Sequence, residues 1–166
     1  MLITGVGAPA TAASPACVQI PKLLVHAARG ETVNLVTWRG RPTLLSVLDP
    51  LAQGGQRMND TSRSQLVVLS SMAAQFAPDV RLAVVDASFL SMGRAATHAE
   101  LVNATYDWNL AFPLLEDPVQ RLLHFLKVTA LPTTFLFDAN GCLVKRVNGL
   151  ARAQELALLL QDLLAK

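Results

Sequence analysis

Val128-Thr-Ala-Leu-Pro-Thr-Thr-Phe-Leu-Phe-Asp-Ala-Asn-Gly-Cys-Leu-Val-Lys-Arg-Val-Asn-Gly149 is the stretch whose reading decides the fold. Thr133 to Phe137 is β-branched and aromatic, the composition of a strand that packs against neighbours on a pleated surface. Asn140-Gly141 follows, and both residue types tolerate a positive φ, which makes the pair a strong hairpin signal. A second strand then follows the hairpin, with Gly149 as its stop. Leu131-Pro132 constrains the backbone directly before the first strand, and the local sequence leaves the isomer of that bond open.

Upstream, Lys22–Ala27 and Glu31–Val36 are short apolar and alternating runs flanking Arg29-Gly30, an N-terminal β-hairpin. Thr43–Leu48 is apolar throughout except Ser46, as expected for a strand covered on both faces. A helix follows a polar loop. Ser62 and Gln65 have the spacing of a capping box, Leu66, Leu69, Ala73 and Phe76 share a face, and Pro78 ends the run. Arg81–Val85 is a second buried strand, closed by Asp86. Ser88–Gly93 reads as loop, and a helix is expected over about Ala95–Trp108. Asp117-Pro118 has the form of a cap followed by proline at the first helical position, giving a helix to about Lys127. Arg152–Leu164 carries Leu156, Leu159, Leu160 and Leu163, an apolar stripe at helical spacing. Strand, helix, strand implies a right-handed parallel crossover. The later hairpin makes the sheet mixed, with helices on both faces.

The chain has 166 residues, 52% hydrophobic and 16% charged, enough to bury the core of one domain and too apolar for disorder. A net charge of +2 without a basic run excludes the electrostatic footprint of a nucleic-acid partner. No apolar run reaches the roughly 18 residues of a membrane span. Residues 1–21, rich in Ala, Gly, Thr and Pro at their start, read as an irregular arm before a single domain over 22–166. The arm lacks the basic start and apolar core of a signal peptide, so the expected compartment is the cytoplasm, with an extracytoplasmic site if a leader has been removed.

In this order the segments resemble the thioredoxin-like superfamily, in its TlpA/ResA-type or AhpC/TSA (peroxiredoxin-like) branch. The likeness rests on Gly30–Leu48 with its Arg39-Gly-Arg-Pro42 turn, Val80–Asp86, Tyr106–Asp117 with Phe112-Pro113, and Val128–Gly149, and it spans about 23–164. It implies a central mixed β-sheet with helices on both faces and an N-terminal β-hairpin extension. It also implies that Pro132 is the fold's cis-proline, facing the N-terminus of the helix near Ser62, where relatives carry a reactive cysteine stabilised by the helix dipole. The family activity would be that of an oxidoreductase.

The loop that should carry the thiol departs from this pattern. Asp49-Pro-Leu-Ala-Gln-Gly-Gly-Gln-Arg-Met-Asn-Asp60 contains no Cys, and neither a Cys-x-x-Cys nor a peroxidatic motif is present. Without a thiolate at that place there is no nucleophile for disulfide exchange. The expectation is a binding or accessory module, its candidate groove formed by Asp49, Gln53, Gly54, Gly55, Gln56 and Arg57 on one side and Leu131, Pro132 and Thr133 on the other. A protein or extended peptide would pair with the cis-Pro edge by strand addition. The alternative is a thiol–disulfide oxidoreductase using Cys17 and Cys142, the only two cysteines, or a partner's thiol. Cys142 reads as a small apolar strand residue and Cys17 as an exposed thiol of the arm; a bridge between them is the other reading and needs Cα atoms within about 7 Å. His26, His98 and His124 lack ligand spacing, so no metal or cofactor is expected. Asp49 and Asp86 end central strands, where carboxylates shape turns or meet ligands. Trp38 and Trp108 read as half-buried packing residues.

Overall fold

The computed structural model describes residues 16–51 and 60–166. Gln53, Gly54, Gly55, Gln56 and Arg57 lie outside the described residues. Strands β1 (Leu24–His26) and β2 (Thr32–Asn34) form the expected antiparallel hairpin, shorter than the apolar runs because Leu35–Trp38 coils into a 3-10 turn. Then come β3 (Thr43–Leu48), α1 (Asp60–Phe76), β4 (Arg81–Asp86), α2 (Ser88–Met92), α3 (His98–Asp107), β5 (Leu114–Leu115), α4 (Arg121–Phe125), β6 (Thr133–Phe137), β7 (Leu143–Asn148) and α5 (Ala153–Leu164).

The main sheet has the order β5-β4-β3-β6-β7. β3 pairs parallel with β4 and antiparallel with β6, so the sheet is mixed. All six residues of β3 are buried, which accounts for its unbroken apolar run. Ser46 is accommodated by a 2.9 Å hydrogen bond to Thr134 across the β3–β6 ladder, so neither hydroxyl is left unpaired in the interior. On one face Leu44, Leu48 and Leu136 pack with α1, α3 and α5, where Leu156 and Leu160 of the leucine stripe are buried. On the other, Leu45, Val47, Phe135 and Phe137 pack with Leu122 and Leu123 of α4, the N-terminal hairpin and Trp38.

Several boundaries differ from the sequence reading, each for a local reason. Ser62 lies inside α1 rather than capping it, and Gln65 is drawn away to the other end of the chain. Gln65 is fully buried and its Oε1 accepts the Ala151 N–H at 2.8 Å, tying α1 to the entry of α5. Ser88–Met92, read as loop, is a short helix closed by Gly93 at φ +70°. The capping box is at Thr97 and Glu100 on α3. Pro118 does not begin a helix: Gln120 takes a left-handed conformation and α4 starts one residue later. Asp117 still caps it, accepting the N–H groups of Leu122 and Leu123 at 3.1 Å each.

The two cysteines also correct their sequence reading. Cys17 and Cys142 form a disulfide across 125 residues of chain. Residues 18–20 pair with the turn: Ile20 N–H donates to Gly141 O at 2.8 Å and Leu143 N–H to Val18 O at 2.7 Å. The described end of the arm is therefore stitched along the outer side of β7. Asp138 Oδ1 accepts the N–H groups of Asn140 and Cys142, and Gly141 supplies the positive φ of +81° that the turn needs.

Closing so long a loop restricts the unfolded chain strongly. The Cys17→Ser/Cys142→Ser variant should fold and lose about 2–5 kcal/mol of stability, read from urea unfolding midpoints against the oxidised parent.

Candidate functional site

Leu131–Pro132 is a cis peptide bond. The register Val47↔Thr133 places Pro132 beside the C-terminal end of β3. Pro132 and Thr133 are buried, Leu131 is half-buried, and Thr133 Oγ1 donates back to Ala130 O at 2.7 Å, closing the turn. Among the described residues the backbone groups of Thr129 and Leu131 make no hydrogen bond. Gly149 N–H donates to Pro132 O at 2.7 Å, so the inner side of the loop is held while its outer side stays open.

Asp49 follows β3 and is 5% exposed. Its Oδ1 accepts Leu51 N–H at 2.9 Å, its Oδ2 accepts the Ser91 hydroxyl, and its own N–H lies 3.4 Å from Ser62 Oγ. Asp49 thus shapes the turn out of β3 and links it to α2, and Ser62 puts the first turns of α1 against the same strand end. Asp86 ends β4 equally buried, its Oδ1 accepting Ser88 N–H at 3.0 Å. Burial pushes the Asp86 carboxyl above its ordinary range, and the negative charges of Asp49 and Asp117 add to the rise against the hydrogen bonds from Ser88. Burial also raises Asp117, opposed by the α4 N–H groups it accepts. Three carboxylates therefore gather where the parallel strands end, each already committed to a turn or a helix start.

Two pockets flank this end of the sheet. One, of about 370 Å³, lies between Phe89 and Leu90 of α2 and the Leu123–Thr129 side of the cis-proline loop, with His124 and Lys127 at its rim. Phe89 and Leu90 are 40% and 46% exposed, so its wall is apolar and accessible. The other, of about 510 Å³, opens beside Pro50 and Leu51 and is polar: Arg63 lies 5.7 Å from the Trp108 ring, and Arg94 holds Glu100 in a two-point ion pair. Trp108 is half-buried as expected, whereas Trp38 is buried.

The cysteines are not at this end. Phe137 pairs with Thr43 at the opposite end of β3, and Asp138–Cys142 turns beyond it. A strand of this length spans about 17–20 Å, so the disulfide and the cis-proline occupy opposite ends of the sheet. The bridge is half-buried, and Gln19 Nε2 lies 2.7 Å from Cys17 Sγ and 3.1 Å from Cys142 Sγ. Arg39 donates to Gln19 Oε1 at 2.9 Å.

No family model and no curated protein matches the chain. Solved structures do. A thiol:disulfide interchange protein of the thioredoxin family from Chlorobium tepidum TLS superposes with a TM-score of 0.70 at 12% identity, covering 92% of this chain and 99% of its own. A secreted Mycobacterium tuberculosis disulfide oxidoreductase homologous to E. coli DsbE gives 0.65 at 18% identity, over 87% and 96%. The pneumococcal exposed lipoprotein thioredoxin Etrx1 from Streptococcus pneumoniae TIGR4 gives 0.65 at 21% identity, over 85% and 98%. The chain has the thioredoxin-like fold.

Within this thioredoxin-like frame the structure brings Asp49, Leu131, Pro132 and Thr133 to one end of the sheet. Sequence reasoning missed the apolar wall: Ser88–Met92 reads as loop, and only its folding as α2 sets Phe89 and Leu90 across a pocket from Val128 and Thr129, at the start of the cis-proline loop. It also missed Gln19, whose contact with both sulfurs exists only because the arm pairs with the hairpin. The histidines stand apart: His98 pairs with Glu116, and His26 lies 3.2 Å from Thr32 Oγ1. Among the described residues no cluster of His, Cys, Asp or Glu has the form of a metal site, and no helix is long and apolar enough to cross a membrane.

Asp86 gives a pH prediction. A carboxyl whose pKa is raised on folding contributes stability below the unfolded carboxylate range, near pH 4, and loses it as pH rises through the folded value. Asp86→Asn keeps an acceptor for Ser88 N–H and removes the buried charge. Its melting temperature should exceed the parent's at pH 8, and the difference should shrink toward zero at pH 4.

Proposed function

We propose that this chain is a thioredoxin-like protein of the TlpA/ResA type that binds an extended peptide along its cis-proline loop without thiol chemistry at that place. The observation that carries the reading is the open backbone of Thr129 and Leu131 beside the exposed Phe89–Leu90 wall, at a strand end where no cysteine stands between residues 18 and 141. Free backbone groups supply strand addition, and an adjoining apolar pocket supplies side-chain selection. The single domain would begin at 22, with the arm attached to it by the bridge.

A second reading is a thiol–disulfide oxidoreductase working through Cys17 and Cys142. Likeness to thiol:disulfide proteins and the presence of a bridge favour it; the remoteness of the bridge from the cis-proline favours the first. Gln19 donates to both sulfurs and would stabilise a thiolate on either. A substrate thiolate would attack one sulfur, break the Cys17–Cys142 bond and form a mixed disulfide. A second substrate thiol would resolve it, leaving the substrate oxidised and both cysteines reduced. In either case an oxidising, extracytoplasmic setting is proposed in place of the cytoplasm: a disulfide persists there, and two of the structural neighbours are described as secreted or exposed.

Carboxymethylated insulin B chain, whose thiols are blocked, separates binding from exchange. In the first reading it shifts the amide resonances of Thr129–Leu131, Phe89 and Leu90, and Phe89→Asp/Leu90→Asp weakens binding at least fivefold with the fold intact. Absence of shifts at that edge rejects it. In the second, reduced B chain opens the Cys17–Cys142 bridge, and mass spectra show both cysteines of the protein as free thiols and an equal amount of B chain carrying a disulfide. A bridge that stays closed with that dithiol present rejects it.

A further inference from the structure

At the N-terminal ends of β3 and β4, away from the Pro132 loop, a pocket of about 260 Å³ opens between the 3-10 turn, the loop after α1 with its second cis bond, Ala77–Pro78, and the Phe112-Pro113 segment. Two guanidinium groups converge on it. Arg41 donates to Pro78 O at 2.6 Å, and Arg81 lies 6.0 Å from the Trp38 ring. Among the described residues neither forms an ion pair. Arg81 Nε is buried with no hydrogen-bond partner. Thr43, its register partner on β3, is 1% exposed, and its Oγ1 is likewise unpartnered. Buried polar atoms in native folds are overwhelmingly satisfied, so the orphaned Arg81 Nε, on a residue that lines the pocket, asks for a missing partner.

The charge balance asks for the same thing. Burial first, and the positive Arg41 second, push the Arg81 guanidinium below its ordinary value, and no carboxylate among the described residues offsets them. Two like charges held together around an apolar pocket are unfavourable in the empty protein and become favourable when an anion sits between them. The remaining wall is apolar, with Val33, Val80, Leu82 and Phe112. A fully hydrated ion such as inorganic phosphate would gain nothing from that wall. A planar carboxylate matches the guanidinium fork, and a flat apolar body matches Trp38 and Phe112.

We propose that this pocket binds a small organic monocarboxylate with a flat apolar body, its carboxylate between Arg41 and Arg81 and its body against Trp38 and Phe112. The site is separate from the groove at Pro132 and stands whether or not that groove binds peptide.

Phenylacetate and indole-3-acetate are suitable probes, followed by calorimetry and melting temperature. Phenylacetamide retains the body without the charge, and inorganic phosphate the charge without the body. At least one carboxylate should bind saturably and raise the melting temperature, with phenylacetamide and phosphate at least tenfold weaker. Arg81→Gln and Arg41→Gln should each weaken that carboxylate at least fivefold, while the unliganded variants melt at or above the parent because a repulsion has been removed. Arg81→Lys keeps the charge and loses the fork, and should fall between parent and Arg81→Gln. No saturable binding of either carboxylate, equal binding of phenylacetamide, or unchanged affinity in both glutamine variants would overturn the proposal.

Discussion

β3 is the constraint on which the other elements depend. It is hydrogen-bonded on both sides, to β4 in parallel and to β6 in antiparallel register, and all six of its side chains are buried. A strand so enclosed cannot slip, because a one-residue shift would exchange the sets of side chains facing the two helical layers. Ser46 and Thr134 reinforce the register, since their hydroxyls satisfy each other only when these two positions are opposite. Once β3 is fixed, its two ends acquire separate roles. The C-terminal end meets the cis-proline loop, the first turns of α1 and the acidic turn residues. The N-terminal end meets the Asp138–Cys142 turn, the disulfide and the arginine pocket.

This polarity bears directly on function. The C-terminal end carries the Pro132 loop, where the backbone groups of Thr129 and Leu131 make no hydrogen bond among the described residues, and the disulfide lies at the other end. The bridge acts on an edge of the sheet as well. β7 would present unpaired backbone groups to solvent, and residues 18–20 cover part of that edge through two backbone hydrogen bonds held in place by Cys17–Cys142. The pairing and the disulfide support each other: without the bond the short arm has few contacts, and without the pairing the sulfurs would not meet.

The carboxylates show how one residue type can be read for chemistry and be used for architecture. Asp49, Asp86 and Asp117 stand where ligands bind in open α/β sheets. Each already accepts backbone N–H groups that would otherwise be orphaned at a turn or helix start. The burial that raises Asp86 and Asp117 is a cost of building these chain reversals at one end of one sheet. The arginines at the opposite end differ, because Arg81 has no such structural partner among the described residues.

Much of the architecture was legible in the chain itself. The apolar run of β3, the β-branched run of β6, Asn140-Gly141 and the leucine stripe of α5 each carry a local periodicity or turn preference that tertiary contacts reinforce. Pro132 was legible as a constraint, and as cis only through the order of four segments. What tertiary structure alone decided concerns partners far apart in sequence. Gln65 pairs with Ala151 rather than capping its own helix, because a buried N–H at the entry of α5 needs an acceptor. Ser88–Met92 became helix and set Phe89 and Leu90 beside the cis-proline. Cys17 and Cys142 met because residue 19 pairs with residue 142, a contact no spacing rule contains. Local pattern encodes which segments are strands and helices. The meeting of Cys17 with Cys142 at one turn, and hence the placement of the disulfide at the end of the sheet opposite the Pro132 loop, follows from the register of β3 against β6.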